Sequence, residues 1–380
     1  MNQSWEKAKG STLEYYQHYF PDSKTSVCSE QVLNSKLAGK WEKLLGQLDI
    51  AGKKLQQIKQ APSFNWFGDN QKSLTLEFNT LLDETIQLLL ADTLSQSCWN
   101  KQQQIQLLKR DLQEQITRKR ELFIIASIEQ QAQLELALKE LSEQTIQLQQ
   151  QEKSIKKEMR MSLKDSGLAL NSEQLNLLLA RVDAGDIVQM VIVFDAVKQI
   201  TIQLEKLMQS SSDDLVASKK YYAMYVVLSK MIVYVQDNYL FMIANKYLPG
   251  IDNIVNKTKE MQLHTSSLAE SADTSRKLIY QHNLNAQSLT IKTAQLYLGH
   301  LQQQQAKVKQ ANIIANKDLL LAENTYDTVQ LSFDLLKLIK NSRFSLLKMS
   351  KMQLPEIVPL QNIAMEKEYQ RLTLVLSSSN

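Results

Sequence analysis

The sequence predicts an all-α protein, an elongated bundle of long helices with a coiled-coil arm. Three observations lead there. No proline occurs between Pro62 and Pro249, or between Pro249 and Pro355, and proline inside a helix removes a hydrogen bond and strikes the preceding turn. The proline-free stretches are filled with Leu, Gln, Lys, Glu and Ala, which propagate helix well. No alternating apolar–polar pattern of the kind a half-buried strand needs runs beyond a few residues. With 380 residues and 43% hydrophobic side chains, the chain exceeds the usual single-core size and has the composition of a folded protein.

The elements divide into four regions. Residues 1–97 form an N-terminal helical region. Two or three short helices are expected over 1–60, where Gly39, Gly46 and Gly52 weaken any long one. A loop near 61–70, Ala61-Pro62-Ser63-Phe64-Asn65-Trp66-Phe67-Gly68-Asp69-Asn70, combines turn formers with three aromatics. Leu74, Phe78, Leu81, Leu82 and Leu88 then repeat at helical spacing. Residues 98–165 are the arm. The register Leu134, Leu138, Leu141, Thr145, Leu148, Glu152, Ile155, Met159 alternates steps of four and three, as an a/d seam does. Thr145 and Glu152 interrupt it, and the phase drifts near Leu122–Ile125. One helix of about 90 Å, or two antiparallel arms joined by a turn, both fit. Gly167 suits a helix stop after Asp165.

Residues 166–350 are the core bundle. Asn171 or Ser172 caps its first helix, and Arg181–Asp186 is a second short break. Ile187–Met208 and Tyr221–Leu248 are apolar round most of their circumference, the signature of central helices. Asp186–Ile200, the most apolar part of the first, is too short to span a bilayer, and Lys230, Asp237 and Lys246 interrupt the second. Pro249 ends or kinks it. Ser210–Asp214 is a polar linker, and one or two long helices follow over 251–350. Residues 351–380 combine a connector held extended by Pro355 and Pro359 with a C-terminal docking helix. Met365, Tyr369, Leu372 and Leu376 share one stripe of that helix.

Catalytic signatures are missing: no phosphate loop, no dinucleotide fingerprint, no HExxH, no GxSxG. The nine glycines are scattered, so no phosphate cradle is expected. His264, His282 and His300 are spaced by whole helical turns, but neighbours on one helix would lie about 27 Å apart, too far to share a metal. Neither Asp213-Asp214 nor Glu366 and Glu368 sits in a setting that would tune a general acid. Cys28 and Cys98 form no zinc or redox spacing. The sequence therefore predicts no catalytic residue, no cofactor and no metal. The net charge is +4, and Arg118-Lys119-Arg120 reads as a solvated face, so no specific nucleic acid is expected. The N-terminus lacks the apolar segment of a secretory signal, which points to the cytoplasm.

Phe64, Trp66 and Phe67 are the candidate partner-docking residues, unless they plug the end of the bundle. Partners are expected to be other proteins meeting helical surfaces, with homo-oligomerisation and peripheral membrane contact as further modes. The stretch from Ala311 to Thr325, ANIIANKDLLLAENT, has an Asn followed by a Leu pair and then Ala in a Gln/Lys-rich helix. It resembles the toxic-anion (tellurite) resistance family of bacterial helical proteins. That resemblance implies a cytoplasmic, helical, non-catalytic protein linked to envelope stress, and it transfers no functional residue. The function expected is a cytoplasmic scaffold or adaptor. The alternative is a component of an α-helical pore-forming toxin.

Overall fold

A computed structural model of the protein describes residues 39–64, 69–91, 93–210, 215–331, 347–360 and 365–378. Of these, 89% are helical and none is in a strand, so the fold is all-α. The chain divides into two compact units, Met1–Gly46 and Gln47–Asn380. The first is described only over 39–46, a turn and the opening of helix α1 (Trp41–Gln60). Cys28 lies outside the described residues.

Helix α1 corrects the expectation of short pieces, since it runs unbroken for 20 residues through Gly46 and Gly52. Packing explains Gly52: a Cβ there would sit 3.2 Å from that of Ala223. The missing side chain lets two backbones approach, and that contact offsets the lower helix propensity of glycine. Helix α2 (Gln71–Leu90) starts at a capping box in which Asn70 accepts from Ser73 N–H and the Ser73 hydroxyl accepts from Asn70 N–H.

The arm is a helical hairpin, which decides between the two forms the sequence allowed. Helix α3 (Leu94–Ile125) and helix α4 (Ile128–Asp165) are joined by Ala126 and Ser127 alone. Ser127 caps α4 in a second capping box with Gln130. Ser95 meets Ser162, and Gln102 meets Glu152, so the two helices run antiparallel. The predicted register faces inward: Leu141, Glu152 and Met159 are buried, and the other members of the series are half-buried. Leu141→Asp should therefore lower the stability of the hairpin by about 2 kcal/mol or more, because it puts an unpaired charge into that seam. Lys139→Asp, on the exposed side, should change the melting temperature little. Thermal melts followed by circular dichroism compare them, and equal shifts would remove the seam as a source of stability.

Gly167, at φ +96°, ends the hairpin. Helix α5 (Ser172–Leu179) is capped by Asn171. Helices α6 (Ala184–Ser210) and α7 (Leu215–Met242) form the centre. Ile187, Val191, Ile200, Tyr222, Val226 and Met231 are among their fully buried side chains. Ala184–Met208, and the continuous helical run Lys219–Glu270 that α7 begins, are long and apolar enough to cross a membrane, but 72% and 61% of their apolar windows is buried against the protein.

Pro249 does not end its helix. A π turn, Ile243–Tyr247, follows α7 and leads directly into helix α8 (Leu248–Glu270), where Pro249 sits in the first turn. The wider turn bonds Leu248 N–H to Ile243 C=O. It shifts the carbonyl that the pyrrolidine ring would otherwise strike. After Ser271–Asp273 the chain reverses into helix α9 (Thr274–Leu331), 58 residues long, about 87 Å. It runs back along both α8 and α7: Gln287 bonds Thr265, Asn312 bonds Asp237, and Lys230 pairs with Glu323 at 2.6 Å.

Residues 352–360 are free of helix, as the two prolines favour. Helix α10 (Glu366–Ser378) lays Tyr369 and Leu372 into the core and Leu376 beside Gly250. Asp213-Asp214 and the rest of the 211–214 linker lie outside the described residues.

Candidate functional site

The aromatic loop is only partly described. Phe64 is 72% exposed, so its ring does not fill a bundle end, while Trp66 and Phe67 lie outside the described residues. Around them, Gln71 N–H donates to Pro62 C=O at 3.1 Å, closing the loop at its base.

The most strongly perturbed ionisable groups gather elsewhere, at the break between α5 and α6. The Arg181 guanidinium grips Asp183 through two hydrogen bonds of 2.8 and 2.6 Å and donates a third to Val358 C=O at 3.0 Å. Tyr239 on α7 donates to the same carboxylate at 2.6 Å. Val182 N–H donates to the Tyr297 hydroxyl on α9, and the Tyr297 ring meets Tyr369 edge-on at 5.3 Å. Thr373 donates to Ala180 C=O. Two turns further along α9, Gln304 donates to Glu356 C=O and accepts from Val358 N–H. Tyr247, in the π turn, donates to Asp186 at 2.5 Å. The break, α7, the π turn, α9, the connector and α10 are thus tied together at one polar node.

Charge at the node is set by burial against pairing. Burial pushes the Asp183 carboxyl up, but the Arg181 charge and its hydrogen bonds outweigh this and hold it below the ordinary range. Burial and the adjacent Asp183 charge push the Tyr239 hydroxyl well up. Asp186 is raised, first by burial and also by Asp183. His300 is pushed down to about 4 by burial and then by the Arg181 charge. Its Nε2 is buried without a hydrogen-bond partner. Asp183 is 0% exposed, so the pair has no face to offer a substrate. The arrangement works as a clamp.

The other sequence candidates are separate. His264 lies on α8, not on α9 with His282 and His300, so the three do not share a helix face. Among the described residues no three His, Cys, Asp or Glu side chains group as a metal site would require. Glu368 is held by Arg371 and Thr290, and Glu366 bonds Gln370. Cys98 is buried, and burial followed by the charge of Glu158 pushes its thiol up, the opposite of an activated nucleophile. Glu152, which interrupts the seam, accepts from Gln102, Gln106, Lys109 and Lys156. Burial would raise its carboxyl, but Lys156 and Lys109 outweigh that and hold it at about 2.

Two features escaped the sequence reading. Arg181 and Asp183 were visible as charges in a short break between apolar helices, but not as partners of Tyr239. The drift at Leu122–Ile125 was the trace of a hairpin end. Leu122, Ile124, Ile125 and Ile128 there are 52, 81, 82 and 86% exposed. Compared with known proteins, the chain matches no family model, no curated protein and no solved structure.

Proposed function

We propose that the protein is a non-catalytic cytoplasmic scaffold or adaptor that acts through its helical surfaces, in a pathway of envelope stress or toxic-anion resistance. One observation carries the reading. Perturbed ionisable groups are spent on internal clamps, whereas α9 exposes Ile313, Ile314, Leu320 and Leu321. Steps of seven residues return to nearly the same side of a helix, so these four lie on one stripe, with Lys317 between the pairs. Such a stripe suits a groove or helix on a partner protein, or a second copy of the chain. It falls within the segment that resembles the tellurite-resistance family, which is the support for that pathway.

The test joins two readouts. Ile313→Glu with Leu320→Glu should leave the melting temperature within a few degrees, because both side chains are exposed. It should abolish capture of a defined partner from the native host, or dissociate a dimer in sedimentation. If both survive the substitutions, the stripe is not the docking surface. Unchanged tellurite survival in a deletion strain would remove the pathway link.

The second reading, a subunit of an α-helical pore-forming toxin, draws on the two apolar helices. It requires them to leave the core and release dye from liposomes, and intact vesicles at saturating protein would end it.

A further inference from the structure

The end of the α3–α4 hairpin is built unlike a solvated helical turn. From residue 113 to residue 140 no side chain is buried, so this part of the hairpin stands clear of the core for about 20 Å along each helix. Its end reads Leu122-Phe123-Ile124-Ile125-Ala126-Ser127-Ile128, with no charge among the seven residues. The α8–α9 hairpin supplies an internal comparison. It is also antiparallel and tightly turned, yet it turns through Ser271-Ala272-Asp273. A hairpin end that only has to meet water needs nothing apolar, and aliphatic side chains exposed in a cluster mark an interaction surface.

We propose that this end inserts into the headgroup region of a lipid bilayer. Three observations favour a bilayer over a protein groove. Ile124, Ile125 and Ile128 are exposed on both helices and across the turn. They crown the end of the hairpin rather than forming the single-sided i, i+3, i+7 stripe that a groove reads. An end-on apolar crown fits a fluid plane. Behind it, Arg118-Lys119-Arg120 lies about 7–10 Å up the helix from Ile125, level with lipid phosphates when the crown reaches the acyl boundary. The turn is also prepared for a medium poor in water. Ser127 and Gln130 satisfy each other's backbone N–H groups, and Gln131 donates to Phe123 C=O. Glu121 and Glu129 offset part of the basic charge, and Arg118 lies 3.9 Å from Glu114. The aliphatic crown therefore dominates binding, and the basic residues add a smaller preference for anionic lipid. The inference is independent of the α9 stripe, which lies on another helix.

Flotation of the full chain with vesicles tests it, using phosphatidylcholine alone and phosphatidylcholine mixed with phosphatidylglycerol. Wild type should float with both, and more completely with the anionic mixture. Ile124→Asp, Ile125→Asp and Ile128→Asp combined should reduce binding at least tenfold, with the helical spectrum and melting temperature retained. Arg118→Gln, Lys119→Gln and Arg120→Gln combined should retain binding but lose most of the anionic preference. In Ile125→Trp, brominated lipid should quench the added fluorescence relative to wild type. Absence of wild-type flotation would overturn the proposal, as would flotation unaffected by the triple Asp change. So would a self-association that the triple Asp change abolishes while wild type leaves vesicles untouched, since the crown would then be a contact between copies.

Discussion

Asp183→Ala should be among the most destabilising single substitutions in the protein, costing about 3–5 kcal/mol. The side chain is fully buried and holds Arg181 through two hydrogen bonds. Removing it strands a guanidinium that cannot shed its proton and leaves the Tyr239 hydroxyl without its acceptor. Attraction between the paired charges only has to match their joint desolvation, but an unpaired buried cation has nothing to match it. The double change Arg181→Met with Asp183→Leu should accordingly be less damaging than Asp183→Ala alone, although it leaves Val358 C=O without the Arg181 donor. The node also ties down the connector and α10, so Asp183→Ala should speed proteolytic loss of the segment from residue 352 onward. Thermal melts and limited proteolysis with trypsin read the two effects. A single-mutant cost below about 1 kcal/mol, or a double mutant worse than the single, would show that the pair does not hold the node.

The sequence made the elements legible and the polar contacts invisible, for a physical reason. Helix content, the inward register of α4, the stop at Gly167, the cap at Asn171 and the stripe of α10 depend on neighbours within one or two turns, and composition displays such neighbours. The hairpin turn at Ala126-Ser127 left only a phase drift, because Leu122, Phe123, Ile124 and Ile125 before it and Ile128 after it carry the apolar run through without Gly or Pro. At Pro249 the sequence allowed an end or a kink; the helix does not end there, because one π turn absorbs the ring. The polar node needed residues separated by more than a hundred positions, such as Val182 and Tyr297, to be placed side by side. Glu152 looked like a flaw in the seam because its partners Gln102, Gln106 and Lys109 sit on the opposite arm. The exposed crown was hidden for a related reason, since an apolar run on a helix reads as core until the fold shows that its side chains are exposed among the described residues.

Acidification should destabilise the protein in two separable steps, the first assigned to His300 and the second to depressed carboxyls, Glu152 and Asp183 among them. Burial, followed by the charge of Arg181, lowers the His300 imidazole to about 4, against an ordinary value near 6.5. As pH falls from about 6.5 towards 4, the unfolded chain takes up this proton and the folded chain does not, so stability falls with pH. Over the full window this single group contributes about 3 kcal/mol. Glu152 acts below that. Its folded carboxyl is held at about 2 against an ordinary 4.5, so its stabilisation is present above 4.5 and is lost as pH falls through that interval towards 2. Asp186 works in the opposite sense: burial raises its carboxyl, so the folded state keeps that proton longer and recovers some stability in acid. The histidine step is therefore the cleaner one to isolate. His300→Leu removes the group while filling similar space, and its Nε2 has no partner to lose. Melting temperatures measured between pH 7 and pH 5 should fall in the wild type and change much less in His300→Leu. Glu152→Gln should retain that first slope and reduce the second, below about pH 4.5, where the lowered carboxyl of Asp183 also contributes. Parallel slopes in wild type and His300→Leu between pH 7 and 5 would exclude His300 as the source of the first step and transfer it to other groups that titrate there.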